Sequence, residues 1–317
     1  MPILSVDNLK AYFLTIRGAV RAVDNVSFSL EKGESLGLAG ESGCGKSTLG
    51  YALINLLPPP GKIMDGSILI DGIDVAKLSE DELRKKVRWK KISMIFQGAM
   101  NALNPVYTVG YQMSEPLIYH EGMSKKEALE EAKRYLELVG LSRDIINRYP
   151  HELSGGMKQR VMIATALILK PTVLIADEPT TALDVIVQAQ IINLMKKLKK
   201  ELGISIIFIS HDLSVISEIA DRVAIMYAGK IVELGPSDSV YVKPKHPYTQ
   251  ALLRAVPRIR GKKEKLVFIP GAPPNLIEPP SGCRFHPRCP YAFDRCMKEE
   301  PELKQVESGH FVACHLF

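Results

Sequence analysis

The stretch Gly40-Glu41-Ser42-Gly43-Cys44-Gly45-Lys46-Ser47-Thr48 decides the fold, because it fits the phosphate-loop pattern G-x-x-x-x-G-K-[ST]. Residues 34–39 before it form a short apolar run that predicts a strand. Residues 46–57 after it predict a helix, which ends at a run of three prolines. The alternative is a chance match in a glycine-rich turn, and the strand before the loop and the helix after it argue against that alternative.

Each residue type in this stretch suits the binding of a nucleotide's phosphates. The glycines allow positive φ angles and bring backbone N–H groups close to phosphate oxygens, and the positive end of the following helix favours the same anion. Lys46 supplies a mobile charge for the β- and γ-phosphates, and Ser47 supplies an oxygen for Mg²⁺. Cys44 is interpreted as contributing only its amide, with a reactive thiol as the alternative, because a helix N-terminus lowers the pKa of a thiol. The predicted contacts are Gly40, Ser42, Gly43, Cys44, Gly45, Lys46, Ser47 and Thr48.

Two acidic residues follow another apolar strand, predicted over residues 173–176. Asp177 fits the aspartate that holds Mg²⁺ at a strand end in phosphate-loop proteins. Glu178, one residue later, is placed to polarise an attacking water molecule. By itself this pair has an alternative interpretation as two solvated carboxylates, but the phosphate loop upstream favours the catalytic one.

Strands alternate with helices through most of the chain, which predicts an α/β fold with a parallel sheet covered by helices. The predicted strands lie within 3–30 and at 34–39, 67–70, 92–96, 173–176, 204–209, 222–227 and 230–233, and the predicted helices at 46–57, 123–140, 158–169 and 185–202. Ser124 and Glu127 form a capping box inside a charged helical insertion at about 98–165. From 236 to 280 repeated prolines predict a linker and a loop-rich appendage.

Composition narrows the class of protein. The chain has 317 residues, of which 46% are hydrophobic and 24% charged, so we expect a folded α/β domain with an appendage. No run of about 18 apolar residues is present, so any membrane role must come through a partner. The net charge of +6 is modest, and the densest basic run, at 84–91, is interpreted as a solvated helix face. We therefore expect no nucleic-acid partner.

Four of the five cysteines lie in the last 35 residues, at Cys283, Cys289, Cys296 and Cys314. In a reducing compartment such a cluster indicates metal binding more than disulfides. The gaps of 5, 6 and 17 residues fit neither the short spacing of zinc pairs nor a ferredoxin run. Spacing alone therefore leaves the metal open. His286, His310 and His315 are alternative ligands for a Cys₃His zinc site, and surface histidines are the simpler interpretation.

The segment Leu153-Ser154-Gly155-Gly156-Met157 resembles the LSGGQ signature of the ABC ATPase family, with Met157 in place of the usual glutamine. Ser154 also suits the N-cap of the helix predicted over 158–169. A capped helix N-terminus is a good anion site, so the two interpretations agree. The resemblance implies that Ser154, Gly155 and Gly156 contact the γ-phosphate of ATP bound to another subunit.

Further positions match this family in the expected order. Gln97 resembles the Q-loop glutamine, which senses Mg²⁺ and the membrane partner, Asp184 the D-loop residue at the dimer interface, and His211 the switch histidine. The family also stacks an aromatic side chain on adenine, for which Phe13 fits best and Tyr12 is the rival. The resemblance implies that the catalytic groups are Lys46, Gln97, Glu178 and His211. It implies that the Mg²⁺ ligands are Ser47, Gln97 and Asp177.

A narrower resemblance rests on residues 149–157, Tyr-Pro-His-Glu-Leu-Ser-Gly-Gly-Met, and on residues 246–253, His-Pro-Tyr-Thr-Gln-Ala-Leu-Leu. Both are similar to the ATPase subunits of dipeptide, oligopeptide and nickel importers. This implies ATP and Mg²⁺ as ligands and a second ATPase subunit as partner, in a heterodimer or, in isolation, a homodimer. It also implies two transmembrane permease subunits, an extracytoplasmic solute-binding protein, and a position at the cytoplasmic face of the membrane.

The same resemblance predicts the domain organisation. Residues 1–257 would form the nucleotide-binding domain, with a RecA-like core, an antiparallel β-subdomain and a helical subdomain at about 98–165. Residues 258–317 would form a small, loop-rich regulatory or metal-binding domain. The resemblance further implies a [4Fe-4S] cluster on the four tail cysteines.

Two other functions fit parts of the sequence. One is a soluble ABC ATPase that acts on ribosomes or DNA ends, but such proteins usually carry two ATPase domains or a long coiled coil, and neither is evident here. The other is a redox-sensing soluble ATPase that is not coupled to a membrane partner. Its ATPase activity would follow the oxidation state of the tail cluster. The sequence does not select the solute, because the membrane subunits and the binding protein choose it.

Overall fold

The computed structural model describes residues 2–255 and 269–317. Its strands, in chain order, are β1 (Leu4–Thr15), β2 (Gly18–Leu30), β3 (Ser35–Ala39), β4 (Gly61–Ile70), β5 (Ile73–Asp74), β6 (Ile92–Ile95), β7 (Val173–Asp177), β8 (Ser205–Ile209), β9 (Arg222–Tyr227), β10 (Lys230–Pro236), β11 (Lys304–Glu307) and β12 (His310–Val312). Its helices are α1 (Lys46–Leu53), α2 (Glu80–Glu82), α3 (Val109–Glu121), α4 (Lys125–Leu138), α5 (Gly155–Leu167), α6 (Val185–Leu202), α7 (Leu213–Ile219), α8 (Ser237–Val242), α9 (Pro247–Ala255) and α10 (Asp294–Lys298).

The larger sheet carries the parallel core. In the described residues its strand order is β11-β12-β10-β9-β3-β8-β7-β6. The strands from β9 to β6 run parallel to one another, as the alternation of strands and helices predicts, because parallel strands need helical crossovers. β10, β12 and β11 extend this sheet in antiparallel fashion.

Both faces of the parallel strands are buried, which explains why these strands read as unbroken apolar runs. In β8, Ile206 and Phe208 point into one hydrophobic cluster and Ile207 and Ile209 into a second one. The first cluster includes side chains of α3, α4 and α5. The second includes side chains of α1, β1, β2 and β4. Burial on two sides fixes the sheet between two layers.

The smaller sheet has the order β2-β1-β4-β5 and is antiparallel. It confirms the strand-rich character predicted for residues 3–30. A turn at Asp71-Gly72 joins β4 to β5, and both residues have positive φ, at 49° and 79°. Positive φ at both central turn positions suits a tight hairpin.

Three helices, α3 to α5, occupy the stretch in which the sequence predicts a helical insertion. The predicted capping box is confirmed: the Ser124 hydroxyl accepts from the Glu127 N–H at 3.3 Å, and the Glu127 carboxylate accepts from the Ser124 N–H at 2.9 Å. The helix predicted over 46–57 is too long. α1 ends at Leu53, and Asn55 adopts a positive φ of 47°, which is not helical.

The prediction of a linker from residue 236 onwards is wrong for its first part. Residues 237–255 contain α8 and α9, and Val240 and Tyr248 are buried in the first hydrophobic cluster. Pro247 is the first residue of α9, a position where proline is favoured because its missing N–H has no helical partner. The predicted domain boundary at 257/258 lies outside the described residues.

The tail is joined to the main sheet. β12 pairs with β10, with Glu233 opposite Val312, and the buried carboxylate of Glu233 lies 2.8 Å from Nε2 of the buried His310. Across residues 2–255 and 269–317, every helix is too short or too polar to cross a bilayer.

Candidate nucleotide-binding site

The phosphate loop lies between the end of β3 and the start of α1, as predicted. Two of its glycines are required by close backbone approach. Gly40 has φ 151°, and a Cβ there would lie 2.1 Å from the Met226 carbonyl oxygen; Gly45 has φ 108°, and a Cβ would lie 1.9 Å from the Ala22 carbonyl oxygen. Such distances exclude any side chain, so strands β9 and β2 fix the loop's path.

Lys46 is held across this loop. Its side chain is almost fully buried, and Nζ donates hydrogen bonds to the carbonyl oxygens of Gly40, at 2.8 Å, and Glu41, at 2.9 Å. These carbonyls satisfy the buried ammonium group, and phosphate oxygens can replace them. The Cys44 Sγ lies 3.7 Å from the same Nζ. Burial raises the pKa of the Cys44 thiol, which favours a packing role for Cys44 over that of a reactive thiolate.

Asp177 is the residue of the site whose surroundings best suit a cation ligand. It ends β7, is fully buried, and within the described residues neither of its carboxylate oxygens has a hydrogen-bond partner of good geometry. Burial raises the pKa of this carboxyl, and the nearby hydroxyl of Ser47 only partly opposes the rise. An unsatisfied buried carboxylate beside a serine hydroxyl is a donor set that suits Mg²⁺.

Glu178 is the centre of a small polar group. Its carboxylate lies 2.9 Å from Nδ1 of His211, and it accepts hydrogen bonds from Nε2 of Gln97 at 3.1 Å and from the Thr181 hydroxyl at 3.0 Å. Burial acts to raise the pKa of the Glu178 carboxyl, but the contacts with His211 and Thr181 outweigh it, so the pKa lies below its usual value. Glu178 also has a positive φ of 47°, a strained conformation that is common at functional sites.

The topology explains why these residues meet. Gln97 follows β6, Glu178 follows β7 and His211 follows β8, and these are neighbouring parallel strands. β3, which leads into the phosphate loop, is next to β8. The carboxyl ends of parallel strands share one edge of the sheet, where ligands bind in open α/β folds. The site therefore combines the phosphate-loop sequence, a buried carboxylate without a hydrogen-bond partner in the described part of the chain, and a glutamate whose pKa lies below its usual value.

The signature residues make a separate set of contacts. The Ser154 hydroxyl caps α5 by accepting from the Met157 N–H at 3.3 Å. Gly155 faces Met100 and Leu183, and a Cβ on Gly156 would lie 2.8 Å from a methyl group of Val187. Asp184 caps α6, accepting from the Val187 N–H at 2.9 Å. These contacts place the signature against the segments that follow β6 and β7.

The two aromatic candidates occupy adjacent positions of β1 and so face opposite sides of that strand. The Tyr12 hydroxyl donates to the Asp24 carboxylate at 2.6 Å. Phe13 packs against Gly61, where a Cβ would lie 3.0 Å from its ring. Because the Tyr12 hydroxyl is already tied to Asp24, Phe13 stays the better candidate for stacking on adenine.

The four tail cysteines come together at one small pocket, which they line with Phe285 and Tyr291. Burial raises the pKa of the Cys283 thiol to about 11. In the part of the chain that the structure describes, no group of three or more His, Cys, Asp or Glu side chains is arranged to hold a metal ion. The predicted tail site is therefore a group of neighbouring thiols rather than a formed ligand cage.

Sequence reasoning missed three residues near the site. Thr181 contacts Glu178, and only its spacing of three residues could have indicated this. Arg288 forms a bidentate ion pair with Glu41 of the phosphate loop, at 2.7 and 3.0 Å, and the Tyr248 hydroxyl accepts from the Glu41 N–H at 2.9 Å. No local pattern joins Arg288 to a residue 247 positions away.

Comparison with protein families gives two matches. A family model described as ABC transporter matches residues 23–181, and one described as the C-terminal region of oligopeptide/dipeptide transporters matches residues 232–296. The first spans the phosphate loop, the signature and the acidic pair. The second spans α9 and three of the tail cysteines.

Similar proteins cover almost the whole chain. The oligopeptide transport ATP-binding protein AppD of Bacillus subtilis (strain 168) is 49% identical over 318 residues, covering 99% of this chain and 97% of its own length. The dipeptide transport ATP-binding protein DppD of Escherichia coli (strain K12) is 44% identical over 317 residues, with the same coverage of 99% and 97%. The similarity therefore includes the cysteine-bearing tail.

Solved structures share the fold. The dimeric ATP-binding cassette MJ0796, in a post-hydrolysis state with ADP and Pi, superposes with a TM-score of 0.66 at 32% identity and covers 74% of this chain and 98% of its own. CbiO1 from Clostridium perfringens, part of the ABC transporter complex cbiONQ, has the same TM-score at 28% identity, covering 76% and 91%.

Proposed function

Because this chain belongs to the ABC transporter family, among the ATP-binding proteins of oligopeptide and dipeptide transport, we propose that it powers the uptake of peptides across the cytoplasmic membrane by hydrolysing ATP. The proposal rests on one observation: the phosphate loop, the Asp177 carboxylate without a hydrogen-bond partner among the described residues, and the ionised Glu178 meet at the carboxyl edge of the parallel sheet. Nickel is the second solute class that the resemblance of residues 149–157 and 246–253 implies.

Two ATP molecules would lie between two such subunits. In each site the phosphate loop of one subunit holds the phosphates, and residues 154–156 of the other subunit close over the γ-phosphate with the N-terminus of α5. The MJ0796 cassette is a dimer, which supports this arrangement. Closure excludes bulk water and orients the reacting groups, and catalysis of phosphoryl transfer then comes mostly from this positioning and from stabilisation of the developing charge.

Each residue of the site has a separate role in ATP hydrolysis. Glu178 accepts a hydrogen bond from the attacking water molecule and so orients the oxygen of that water towards the γ-phosphorus. His211 and Gln97 hold the Glu178 carboxylate in place. Lys46 stabilises the charge that develops on the phosphate oxygens. Ser47, Gln97 and Asp177 would hold Mg²⁺, which offsets the charge of the β- and γ-phosphates. The remaining assignments stay as the sequence predicts: Ser42, Gly43 and Thr48 contact phosphate, Asp184 lies at the dimer interface, and Phe13 stacks on adenine.

The partners follow from the family. A related ATPase subunit, or a second copy of this chain, completes the two ATP sites. Two transmembrane permease subunits receive the motion through the region around Gln97, at the cytoplasmic face of the membrane. An extracytoplasmic binding protein delivers the solute. Residues 1–257 would act as the nucleotide-binding domain, and 258–317 as a regulatory or metal-binding domain.

The tail cysteines fit a [4Fe-4S] cluster in chemical type. Four thiols around one pocket supply four soft ligands. Cluster binding would take them as thiolates and release protons, although burial raises the pKa values of Cys283, Cys289 and Cys314. We expect Cys283, Cys289, Cys296 and Cys314 to hold such a cluster in a structural or regulatory role. The relatives that share this tail are transport ATP-binding proteins, which favours the importer over a redox-sensing ATPase that works without a membrane partner.

Uptake of labelled solutes tests the proposal directly. The gene is deleted in its native host and complemented with the wild-type chain or with Glu178→Gln, and the uptake of a dipeptide, an oligopeptide and nickel is compared. We expect the wild type to restore uptake of at least one solute and Glu178→Gln to restore none. Equal uptake of all three solutes in the deletion strain and in the complemented strain would overturn the transport function.

A further inference from the structure

We infer that Arg288 is a positioning residue of the nucleotide site: it ties the cysteine-bearing tail to the phosphate loop through Glu41 and holds the loop in the conformation that binds ATP. The inference rests on the ATP site proposed above and deepens it. Glu41 lies inside the phosphate loop, at a position where the phosphate-loop pattern allows any residue type.

The ion pair is short, bidentate and buried on the arginine side. The two Nη atoms of Arg288 donate to the two carboxylate oxygens of Glu41, at 2.7 and 3.0 Å. The Arg288 side chain is 6% exposed and that of Glu41 25%. Nε of Arg288 donates to the Pro270 carbonyl oxygen at 2.8 Å, and the guanidinium lies 5.8 Å from the centre of the Tyr227 ring. These hydrogen bonds and the contact with the Tyr227 ring hold the Arg288 guanidinium in one position.

Every polar group of Glu41 is engaged. Its N–H donates to the Tyr248 hydroxyl at 2.9 Å, and its carbonyl oxygen accepts from Nζ of Lys46 at 2.9 Å. The Glu41 carbonyl is therefore one of two backbone oxygens that hold Lys46 Nζ, the other being that of Gly40. A carboxylate in an anion-binding loop also repels phosphate, and the Arg288 cation neutralises that charge.

Packed side chains connect Arg288 to the pocket that the four tail cysteines line. Arg288 immediately precedes Cys289, and the ring of Phe285 packs 5.1 Å from Tyr227 and 5.3 Å from Tyr248, measured between centroids. Phe285 and Cys289 both line the cysteine pocket. The cysteine pocket and the phosphate loop thus lie at the two ends of one packed group of side chains.

The test uses the full-length chain and four variants: Arg288→Gln, Glu41→Gln, the double variant of both, and Arg295→Gln. Arg295 is the matched control, an exposed tail arginine that pairs with Glu299 at 2.7 Å. Titration with a fluorescent ATP analogue gives Kd, steady-state hydrolysis gives KM and kcat, and thermal unfolding reports folding. We expect Arg288→Gln and the double variant to raise Kd and KM about tenfold, a common size for coupling between sites. The kcat should stay within about twofold, and Arg295→Gln should match the wild type.

The double variant separates positioning from stability. Arg288→Gln and Glu41→Gln each leave a charge without its partner, which destabilises the fold, but the double variant leaves none and serves as the test if a single variant does not fold. A double variant that folds and binds ATP with wild-type Kd would overturn the inference. Lys46→Ala tests the ATP site separately: if that variant also binds ATP normally, the ATP site itself is wrong.

Discussion

The Oε1 atom of Glu178 lies 2.9 Å from Nδ1 of His211, on the loop after the neighbouring strand. With Gln97 on its other oxygen, the carboxylate is held from both sides. Burial acts to raise its pKa, but the contacts with His211 and Thr181 outweigh this effect and lower it. An ionised, oriented carboxylate next to a phosphate loop is what water activation requires.

Glu178→Gln should bind ATP and fail to hydrolyse it. The amide keeps the size of the side chain but cannot accept a proton, so we expect kcat to fall by at least about 100-fold while the ATP Kd changes little. Phosphate release and nucleotide titration measure the two quantities. Glu201→Gln, at the exposed end of α6, is the control, and a wild-type turnover rate for Glu178→Gln would refute the role of Glu178.

Lys46→Ala should abolish tight ATP binding. The substitution removes the only side-chain charge in the loop that reaches the β- and γ-phosphates, so we expect Kd to rise by about 100-fold, which corresponds to roughly 3 kcal/mol. Isothermal titration with ATP and Mg²⁺ measures it. Lys197→Ala, on the exposed face of α6, is the control. An unchanged Kd would mean that the phosphate loop has been misassigned.

Ser154→Ala should lower kcat without weakening ATP binding to a single subunit. In the proposed dimer Ser154 contacts the ATP held by the other subunit, so we expect kcat to fall about tenfold or more at a protein concentration that supports dimers. Loss of the helix cap costs about 1 kcal/mol of stability by itself. Kd and kcat are measured across a range of protein concentrations.

Ser124→Ala is the matched control for that variant, because Ser124 caps α4 in the same way. It should lose similar stability and keep its ATPase activity. Equal losses of ATPase activity in the two variants would show that Ser154 acts only through the helix.

Asp24→Asn should destabilise the contact between the smaller sheet, in which Asp24 lies on β2, and the tail. Burial acts to raise the pKa of the Asp24 carboxyl, but the Tyr12 hydroxyl and the cations Lys230 and Arg284 outweigh it and lower the pKa. Loss of the carboxylate leaves the buried Arg284 without its ionic partner, so we expect the free energy of unfolding to fall by about 3 kcal/mol at pH 7. Urea unfolding of both proteins measures it.

The pH dependence of that difference has a definite sign. A carboxyl whose pKa is lowered by folding contributes stability above its unfolded pKa of 3.8, and loses it as the pH falls through the folded value. The difference between wild type and Asp24→Asn should therefore stay constant from pH 7 down to about 5 and shrink only below about 4. A difference that shrinks near pH 6 would point to a histidine instead.

Cys296→Ser should lose the proposed cluster. The wild-type chain, purified without oxygen, should carry about four iron and four sulfide, and the variant much less, because serine replaces one of four thiolate ligands. Metal and sulfide analysis measures both. Cys44→Ser, a cysteine of the phosphate loop, should keep its iron. Zinc, or no metal in the wild type, would refute the cluster and leave the ATPase untouched.

The sequence predicted the parts of the site that depend on local pattern. The phosphate loop, Asp177 and Glu178 at the end of an apolar strand, and the Ser154 cap each combine a residue type with a short spacing. Physical chemistry ties such spacings directly to backbone geometry, so these parts of the site could be predicted from the residues themselves. Gln97 and His211 were predicted only from the family resemblance. The parallel core followed in the same way from the alternation of strands and helices.

Only the tertiary structure showed how the residues after 236 pack against the rest of the protein. The prolines after residue 236 indicated a linker, but burial of Tyr248 in the first hydrophobic cluster stabilises α9 there, since packing of one face supplies most helix stability in proteins. β12 joins the main sheet through Glu233 and His310, and Arg288 reaches Glu41 across 247 positions of sequence. Such pairings depend on which surfaces become neighbours when the whole chain closes around its core, and no local pattern records that.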